Sequence, residues 1–479
     1  MRKRFEIQLE LGSTPIQNVN IPTDSRDELP AILRSLQYIY STPEINNKVF
    51  DLLEEKILSA IDKNFGRPGM NLWEILTFGS IRLGRDIDYD HLQHIANYDL
   101  LVREMIGISN FGENLKKFPL QTLKDNVSLL DDETINQINE IVVKAGHGLL
   151  PNKKLNIKID SYVLETNVHF PTDLNLLWDA GRKCIDLICH IIKDVDIDAG
   201  WRKHQDWYSR LKSSFYKASK LTSGNGKNTA RGLEAALDYL SIADCLSKKL
   251  TSTDDLIKQL ANSNNNINKY NDLMYFQYHL NDHIDLVRRR LIYQETIPHS
   301  EKVFSLFEPH TRWIKKGKSG DKVELGLMVA VATDQYGFIL GHKVMEHEQD
   351  VEIAVPFVKE LVQKYDIDSA SFDKGFWSPS NFTELKELVD NVVLPKKGKL
   401  NKDEKERQST KKFKALRKYH SAVESDINCL EHHGLNKCPD KGIKNFRKYT
   451  ALGVLAHSLH KLGNILLEQD RRAISAKAA

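Results

Sequence analysis

The sequence predicts an α/β protein in which helices flank a mixed sheet, with an all-α N-terminal region and an all-α insertion. Three observations predict it. Before residue 150, apolar residues recur at three- and four-residue spacing, which is typical of helices. Further on, short apolar or alternating runs bounded by turn residues predict strands at 155–160, 323–331, 337–345, 369–373 and 391–394. Helical patterns between the later strands indicate a sheet with helices on its faces.

Length and composition limit the classes of protein to consider. The chain has 479 residues, of which 41% are hydrophobic and 28% charged, so we expect two or three globular domains. No run approaches the roughly 18 consecutive apolar residues of a membrane span. The first residues alternate polar and apolar side chains, unlike a secretory signal. Five cysteines do not form a disulfide framework in so long a chain, and we expect a cytoplasmic protein without membrane partners.

The order of the patterns divides the chain into five segments. Residues 1–150 form a helical N-terminal domain, in which Gly66-Arg67-Pro68-Gly69 separates helices at 45–61 and 72–83. Periodicity does not distinguish a plain helical bundle from a DNA-binding one. The other segments follow in order: 151–175 as the first part of the sheet domain, 176–298 as a helical insertion, 299–467 as the rest of the sheet domain, and 468–479 as a disordered tail.

Positive charge is concentrated near the C-terminal end. Residues 396–448 contain 16 Lys and Arg against 7 Asp and Glu, a balance of +9, so the rest of the chain carries +3 − 9 = −6. Within this region, 396–418 has eleven basic residues and three acids. Basic side chains placed in this way indicate contact with a polyanion such as DNA. A mobile, solvated loop is the alternative interpretation.

Three acids mark the edges of the predicted sheet. Asp160 ends the first strand, Asp373 ends a later one, and Glu424 lies on the helix after the last strand. Strand ends on one side of a sheet converge, so these carboxylates would form an oxygen-rich site for Mg²⁺ or Mn²⁺. Two such ions about 4 Å apart activate an attacking oxygen in phosphodiester chemistry. Acids at strand ends are also often only turn or cap residues.

The helix around Glu424 has an apolar face and a polar face. Its apolar stripe consists of Leu416, Tyr419, Val423, Ile427 and Leu430. Arg417, His420 and Glu424 align beside that stripe. The acid is therefore predicted at the margin of the buried face, one turn from groups that contact phosphate, although such a stripe also fits a solvated face.

Three ordered motifs resemble a known family. Residues 160–173 (DSYVLETNVHFPTD), 371–378 (SFDKGFWS) and 420–428 (HSAVESDIN), the last continued by 433–442 (HGLNKCPDKG), are similar to the two aspartate motifs and the glutamate motif of DDE transposases from bacterial insertion sequences of the ISNCY and IS-five-like groups. Residues 66–70 (GRPGM) and 72–76 (LWEIL) resemble their N-terminal helical domain. The likeness runs with gaps from about residue 65 to 465. The tyrosine, arginine and lysine that flank the glutamate in some relatives are not matched.

The resemblance implies an RNase H-like catalytic domain that cuts element ends and joins them to target DNA. Asp160, Asp373 and Glu424 would bind Mg²⁺ or Mn²⁺, two ions per site. It implies a prokaryotic, nucleoid-associated protein that binds terminal inverted repeats and target DNA, as a homo-oligomer on DNA. The predicted DNA contacts are His169, Lys374, Lys396, Lys397, Lys411, Lys412, Arg417, His420, Lys437 and Lys441.

Three alternatives remain open from the residues alone. The first is a metal-dependent nuclease on the same fold, which hydrolyses DNA without joining ends. The second is a DNA-binding derivative without catalysis, against which the presence of all three acids argues. The third is the role of His169 and Trp377, which follow the two aspartates closely. Each either contacts the DNA end or packs against other side chains of the protein.

Overall fold

The chain forms two compact units in a computed structural model. The residues that the structure describes are 3–5, 13–58, 69–108, 116–151, 154–193, 200–224, 229–263, 266–315 and 323–478. The first unit consists of Met1–Asn167 and Ile314–Ala479, and the second of Val168–Trp313. Each unit contains its own cluster of buried apolar side chains. Residues 59–68, which include most of the predicted break at Gly66–Gly69, lie outside the described residues.

The N-terminal part of the first unit is helical. Its helices are α1 (Leu29–Ser41), α2 (Pro43–Leu58), α3 (Leu72–Gly84), α4 (Tyr89–Tyr98), α5 (Leu100–Met105), α6 (Leu120–Val127) and α7 (Asp132–Gly148). The start of α3 is fixed by a capping box, in which the Asn71 side chain accepts from the Glu74 N–H at 2.8 Å. Both this start and the apolar periodicity follow from local sequence.

The second unit is also helical. It contains α8 (Asp173–Ile192), α9 (His204–Leu221), α10 (Ala230–Ser263) and α11 (Ile267–Val287). Its limits, 168 and 313, lie outside the predicted insertion limits of 176 and 298. The reason is packing: α8 begins at Asp173, and Leu306 joins the core of this unit.

The mixed sheet lies in the first unit, apart from the first two residues of one strand. Its strands among the described residues are β1 (Leu155–Thr166), β2 (Arg312–Lys315), β3 (Val323–Thr333), β4 (Ile339–Met345), β5 (Ile367–Phe372), β6 (Asn391–Val393) and β7 (Lys437–Cys438). Strand β3 is antiparallel to both β1 and β4, whereas β5 is parallel to both β1 and β6. The strand order is β2-β3-β1-β5-β6, with β4 also paired to β3 and β7 also paired to β1, so β1 lies at the centre. The prediction of a mixed sheet flanked by helices is confirmed.

The remaining helices follow the sheet strands. They are α12 (Asp350–Val362), α13 (Pro379–Leu388), α14 (Lys402–Ser409), α15 (Lys411–His420), α16 (Val423–Leu430) and α17 (Ile443–Ala478). Within the described part of the chain, no helix combines the length and apolar character that a bilayer crossing requires.

The N-terminal helices share one core with the sheet. Helix α17 packs against α1, α3 and α7. At Gly463 the approach to α1 is so close that an added Cβ would lie 1.8 Å from the Ala31 carbonyl oxygen. His147 Nε2 of α7 lies 2.6 Å from Asp334 Oδ2 in the turn between β3 and β4. Residues 1–150 thus belong to the same compact unit as the sheet, rather than to a unit of their own.

Three local expectations were wrong. Strand β1 continues for six residues beyond Asp160, because the apolar pattern persists through Val163 and Leu164 and both are buried. The predicted single helix around Glu424 is interrupted at Ser421 between α15 and α16. The tail expected to be disordered is helical up to Ala478, since it consists mainly of good helix formers and Glu468 pairs with Arg472 one turn on.

Candidate functional site

Asp160 and Asp373 are brought together by the register of two parallel strands. Ile159 of β1 pairs with Phe372 of β5, so the two aspartates are the next residues on neighbouring strands. Neighbouring strands lie about 4.8 Å apart, so the two side chains leave the sheet side by side. Asp160 is therefore at the middle of the central strand and not at its end, whereas Asp373 directly follows β5 as predicted.

The electrostatics of Asp160 reveal a cluster of four acids. Burial, together with the charges of Asp373, Asp350 and Glu424, raises the pKa of Asp160 to about 6. The Ser161 N–H, which donates to Asp160 Oδ1 at 2.8 Å, opposes that shift. The site thus concentrates more negative charge than its own hydrogen bonds compensate, which is the condition that a bound cation relieves.

Asp350 is a member of this cluster that the sequence analysis missed. It is the first residue of α12, and its Oδ1 accepts from Ser161 Oγ at 2.7 Å. Burial and the charge of Asp373 raise its pKa, and the charge of Lys397 lowers it. An acid in the first turn of a helix is sufficiently explained by the helix dipole. The one feature of the sequence that indicates a further role for Asp350 is its position after a predicted hairpin, at the edge of the sheet.

The helix that carries Glu424 is anchored to the central strand. Lys158 of β1 is buried and donates to Asp426 Oδ2 at 2.7 Å. Thr333 Oγ1 of β3 donates to the same oxygen at 2.7 Å. Asp426 is two residues from Glu424, and Lys158 is two residues from Asp160. This buried contact sets the position of the third acid, which itself remains exposed.

The three predicted acids do not converge on a single point. No choice of one carboxylate oxygen from each of Asp160, Asp373 and Glu424 gives three atoms that lie within 4.8 Å of one another. A single ion with ligand distances of about 2.1 Å would require such convergence. Two ions about 4 Å apart have outer ligands that are farther apart. The acids are therefore too far apart for a single ion to bind all three.

His420 lies beside the second acid. Its Nδ1 lies 3.1 Å from Ser371 Oγ, two residues before Asp373. Burial lowers the pKa of His420, as do the charges of Lys158 and Arg417, whereas the charge of Asp373 raises it. The imidazole is therefore neutral near pH 7 and offers a hydrogen-bonding group next to the acids.

The basic segment forms helices, and several of its side chains point to solvent. The exposed predicted contacts are Lys374, Lys397, Lys411, Lys412 and Arg417. The charge of Lys397 reaches Asp350, and that of Arg417 reaches His420, so both lie near the acids. Lys396 is different, because its ammonium is bound by Glu404 at 2.9 Å and 3.0 Å. Helix α15 has four exposed lysines, and we call the three in its first half, Lys411, Lys412 and Lys414, the α15 lysines.

Other predicted contacts lie elsewhere. Lys437 is on β7, which pairs with β1 at Glu165, five residues or about 16 Å along the strand from Asp160. Lys441 follows it and is exposed. His169 belongs to the second unit, where its Nε2 lies 3.2 Å from Asp179 Oδ2.

Trp377 packs within the first unit. Its ring centroid lies 5.8 Å from that of Phe382, and the Arg407 guanidinium lies 5.7 Å from the Trp377 ring. These contacts favour the packing interpretation of Trp377.

Comparison with models of known protein families, with curated proteins and with solved structures found no match for this chain. The functional argument therefore depends on the residues and geometry described above.

Proposed function

We propose that the chain is a DDE transposase of the type found in bacterial insertion sequences of the ISNCY and IS-five-like groups, with an RNase H-like catalytic domain. The observation that carries the proposal is the placement of the acids on the sheet. The first acid lies on the central strand, the second directly follows its parallel neighbour, and the third lies on a helix anchored to the central strand. This order and spacing match the three motifs on which the resemblance depends.

Asp160, Asp373 and Glu424 would hold two Mg²⁺ or Mn²⁺ ions, with Asp350 as a fourth carboxylate. Bound ions of this type activate an attacking oxygen and stabilise the leaving oxygen at a phosphodiester. The contribution of the chain is a fixed set of carboxylates at a negative site, where burial and then the neighbouring acids raise the pKa of Asp160 and cations would offset both effects. Ser371 Oγ donates to the Ile157 carbonyl oxygen and accepts from His420 Nδ1, so Nε2 of the neutral imidazole next to Asp373 would accept a hydrogen bond from a hydroxyl group of the DNA.

The DNA would approach along the basic helices. Helix α15 carries the α15 lysines and Arg417 on the chain segment that leads directly to α16 and Glu424. Positive side chains beside an acidic site neutralise the phosphates that flank the scissile bond. We therefore propose double-stranded DNA as the partner, with element ends and target DNA as substrates and an oligomer assembling on them.

The test is a reaction with labelled DNA from both borders of the element and Mg²⁺ or Mn²⁺, read for nicking and for joining to a second DNA. The proposal expects both products, and both should vanish in Asp373→Ala while DNA binding persists. Lys359→Ala, at an exposed position of α12, is the control. Nicking without joining would indicate the nuclease alternative. DNA binding without either product would indicate a derivative that lacks catalysis, and cleavage by Asp373→Ala would refute the assignment of the site.

A further inference from the structure

The second unit contains a group of metal-ligand side chains that the proposed function does not use. His279, Asp282 and His283 on α11 each offer one ligand atom, and these three atoms lie within 4.8 Å of one another. Among the residues that the structure describes, no other set of three such ligand atoms meets that distance. The positions i, i+3 and i+4 lie on one face of a helix, so the backbone of α11 holds the set together.

His283 has the hydrogen-bond pattern of a metal-binding histidine, and its Nδ1 also lies 3.8 Å from Asp282 Oδ2. Its side chain is 0% exposed, and its Nδ1 lies 2.8 Å from the His279 carbonyl oxygen, to which it donates. The other nitrogen, Nε2, then carries a lone pair, and it has no hydrogen-bond partner in the described part of the chain. Metal-ligating histidines commonly donate their second ring N–H to a backbone carbonyl. A buried acceptor without a partner is costly, and a bound cation would satisfy it.

His279 has the same features one turn earlier. Its Nδ1 is buried and lacks a hydrogen-bond partner among the described residues. The ring of Tyr275 packs against it edge to face, with centroids 4.6 Å apart, which restricts the imidazole.

Two acids of α8 lie near this group. Asp173 and Asp179 are close enough for their charges to act on His283. Each is also paired with an arginine, Asp173 with Arg290 at 2.8 Å and Asp179 with Arg182 at 2.9 Å, which offsets its charge. The α11 side chains themselves therefore carry the case for a metal ion.

We propose that His279, Asp282 and His283 form a binding site for a first-row transition-metal ion, with Zn²⁺ as the preferred ion. Two imidazole nitrogens and one carboxylate oxygen are ligands that zinc accepts, and they leave one position of a tetrahedral ion for water or another group. The site differs in chemistry from the all-carboxylate site of the first unit, which suits Mg²⁺. The proposal does not depend on the proposed function.

The test is calorimetric titration of the metal-free, full-length protein with ZnCl₂ in the presence of excess MgCl₂, which occupies the carboxylate site. Wild-type protein should bind Zn²⁺, and the affinity should fall about 10-fold or more in His279→Gln and in Asp282→Asn. His190→Gln is the matched control, because this exposed histidine of α8 bonds only its own helix, at the Asp186 oxygen. Co²⁺ should give the visible absorption of a tetrahedral site in the wild type and in Asp160→Asn.

Several outcomes would overturn the proposal. They are the absence of Zn²⁺ binding, unchanged affinity in both cluster variants, or loss of binding in Asp160→Asn or His190→Gln. If His279→Gln fails to fold by circular dichroism, Asp282→Asn alone decides, since its side chain is only half-buried.

Discussion

Lys158 and Asp426 form a buried ion pair, with Nζ 2.7 Å from Oδ2 and side chains only 3% and 11% exposed. The pair joins the central strand to the helix of Glu424. Removing one partner of a buried pair leaves an uncompensated charge, at a cost of about 3–5 kcal/mol. We therefore expect Lys158→Met to lower the free energy of unfolding by that amount in urea titrations, and to impair cleavage by releasing α16.

The control for this prediction is an ion pair at the surface of the same unit. Lys144 and Glu140 lie 2.6 Å apart with side chains 51% and 25% exposed, and Lys144→Met should cost less than about 1 kcal/mol. The double variant Lys158→Met/Asp426→Leu should recover most of the lost stability, because it leaves no buried charge. Equal effects of Lys158→Met and Lys144→Met would contradict the anchoring role.

Asp160 should make the metal-free protein less stable as the pH rises. Its pKa of about 6 in the folded chain exceeds the ordinary value of about 3.9, so the folded state binds the extra proton between these values. Wild-type stability should therefore fall as the pH rises from about 4 to about 6, relative to Asp160→Asn. At pH 7 the variant should be more stable by about 1–2 kcal/mol after allowance for partial exposure.

The measurement is a difference between two curves of unfolding free energy against pH, without divalent ions. Buried histidines such as His457, whose pKa burial lowers to about 3, act in the opposite direction but cancel in that difference. Asp350 and Asp373 are coupled to Asp160, so the difference reports the acid cluster with and without the Asp160 charge. Mg²⁺ should stabilise the wild type more than Asp160→Asn. Parallel pH curves for the two proteins would show that Asp160 titrates normally.

Asp350 should matter for metal dependence rather than for folding. In Asp350→Asn the amide oxygen still accepts from Ser161 Oγ, but one negative charge leaves the cluster. We expect the Mg²⁺ concentration for half-maximal cleavage to rise about 10-fold. The exposed Glu348, two residues earlier, supplies the control Glu348→Gln, which should leave it unchanged. A purely structural Asp350 would alter thermal stability and leave the metal dependence as it is.

The α15 lysines should set the salt dependence of DNA binding. If each contacts a phosphate, replacing all three with Gln lowers the slope of log K against log salt by about 0.9 per contact. Lys396→Gln is the comparison, since Glu404 already neutralises Lys396, and it should change the slope least. Filter binding between low and moderate salt measures both. The same slope in the triple variant and the wild type would remove α15 from the interface.

Local patterns predicted five of the seven strands in the described part of the chain, all but β2 and β7, and the kind of element that carries Asp373 and Glu424. Asp373 follows a short apolar strand, and Glu424 lies on an amphipathic segment, and both features are set by nearby residues. The position of Asp160 within its strand was not predicted, because β1 is buried on both faces at Tyr162–Leu164 and polar alternation stops there. Asp350 was missed because a helix start alone accounts for an acid.

The remaining differences come from long-range packing. The close approach of Gly463 to Ala31, which joins α17 to the N-terminal helices, involves residues more than 400 positions apart and leaves no local periodicity. Strand β7 has only two residues and exists because its backbone pairs with β1 at Glu165 and Thr166. The position of such an element is set by the distant strands and helices that it contacts, not by its own sequence.

The chain leaves β1 at Asn167, builds a helical unit with its own core, and re-enters the sheet to form β3, the antiparallel neighbour of β1. Glu165, near the end of β1, is paired with Gly326, near the start of β3. The chain before and after the helical unit is therefore as close as the two strands of an ordinary hairpin. A short glycine-rich turn could replace the whole excursion without stretching either strand. Such a shortened protein would tell whether the sheet unit folds without the helical unit.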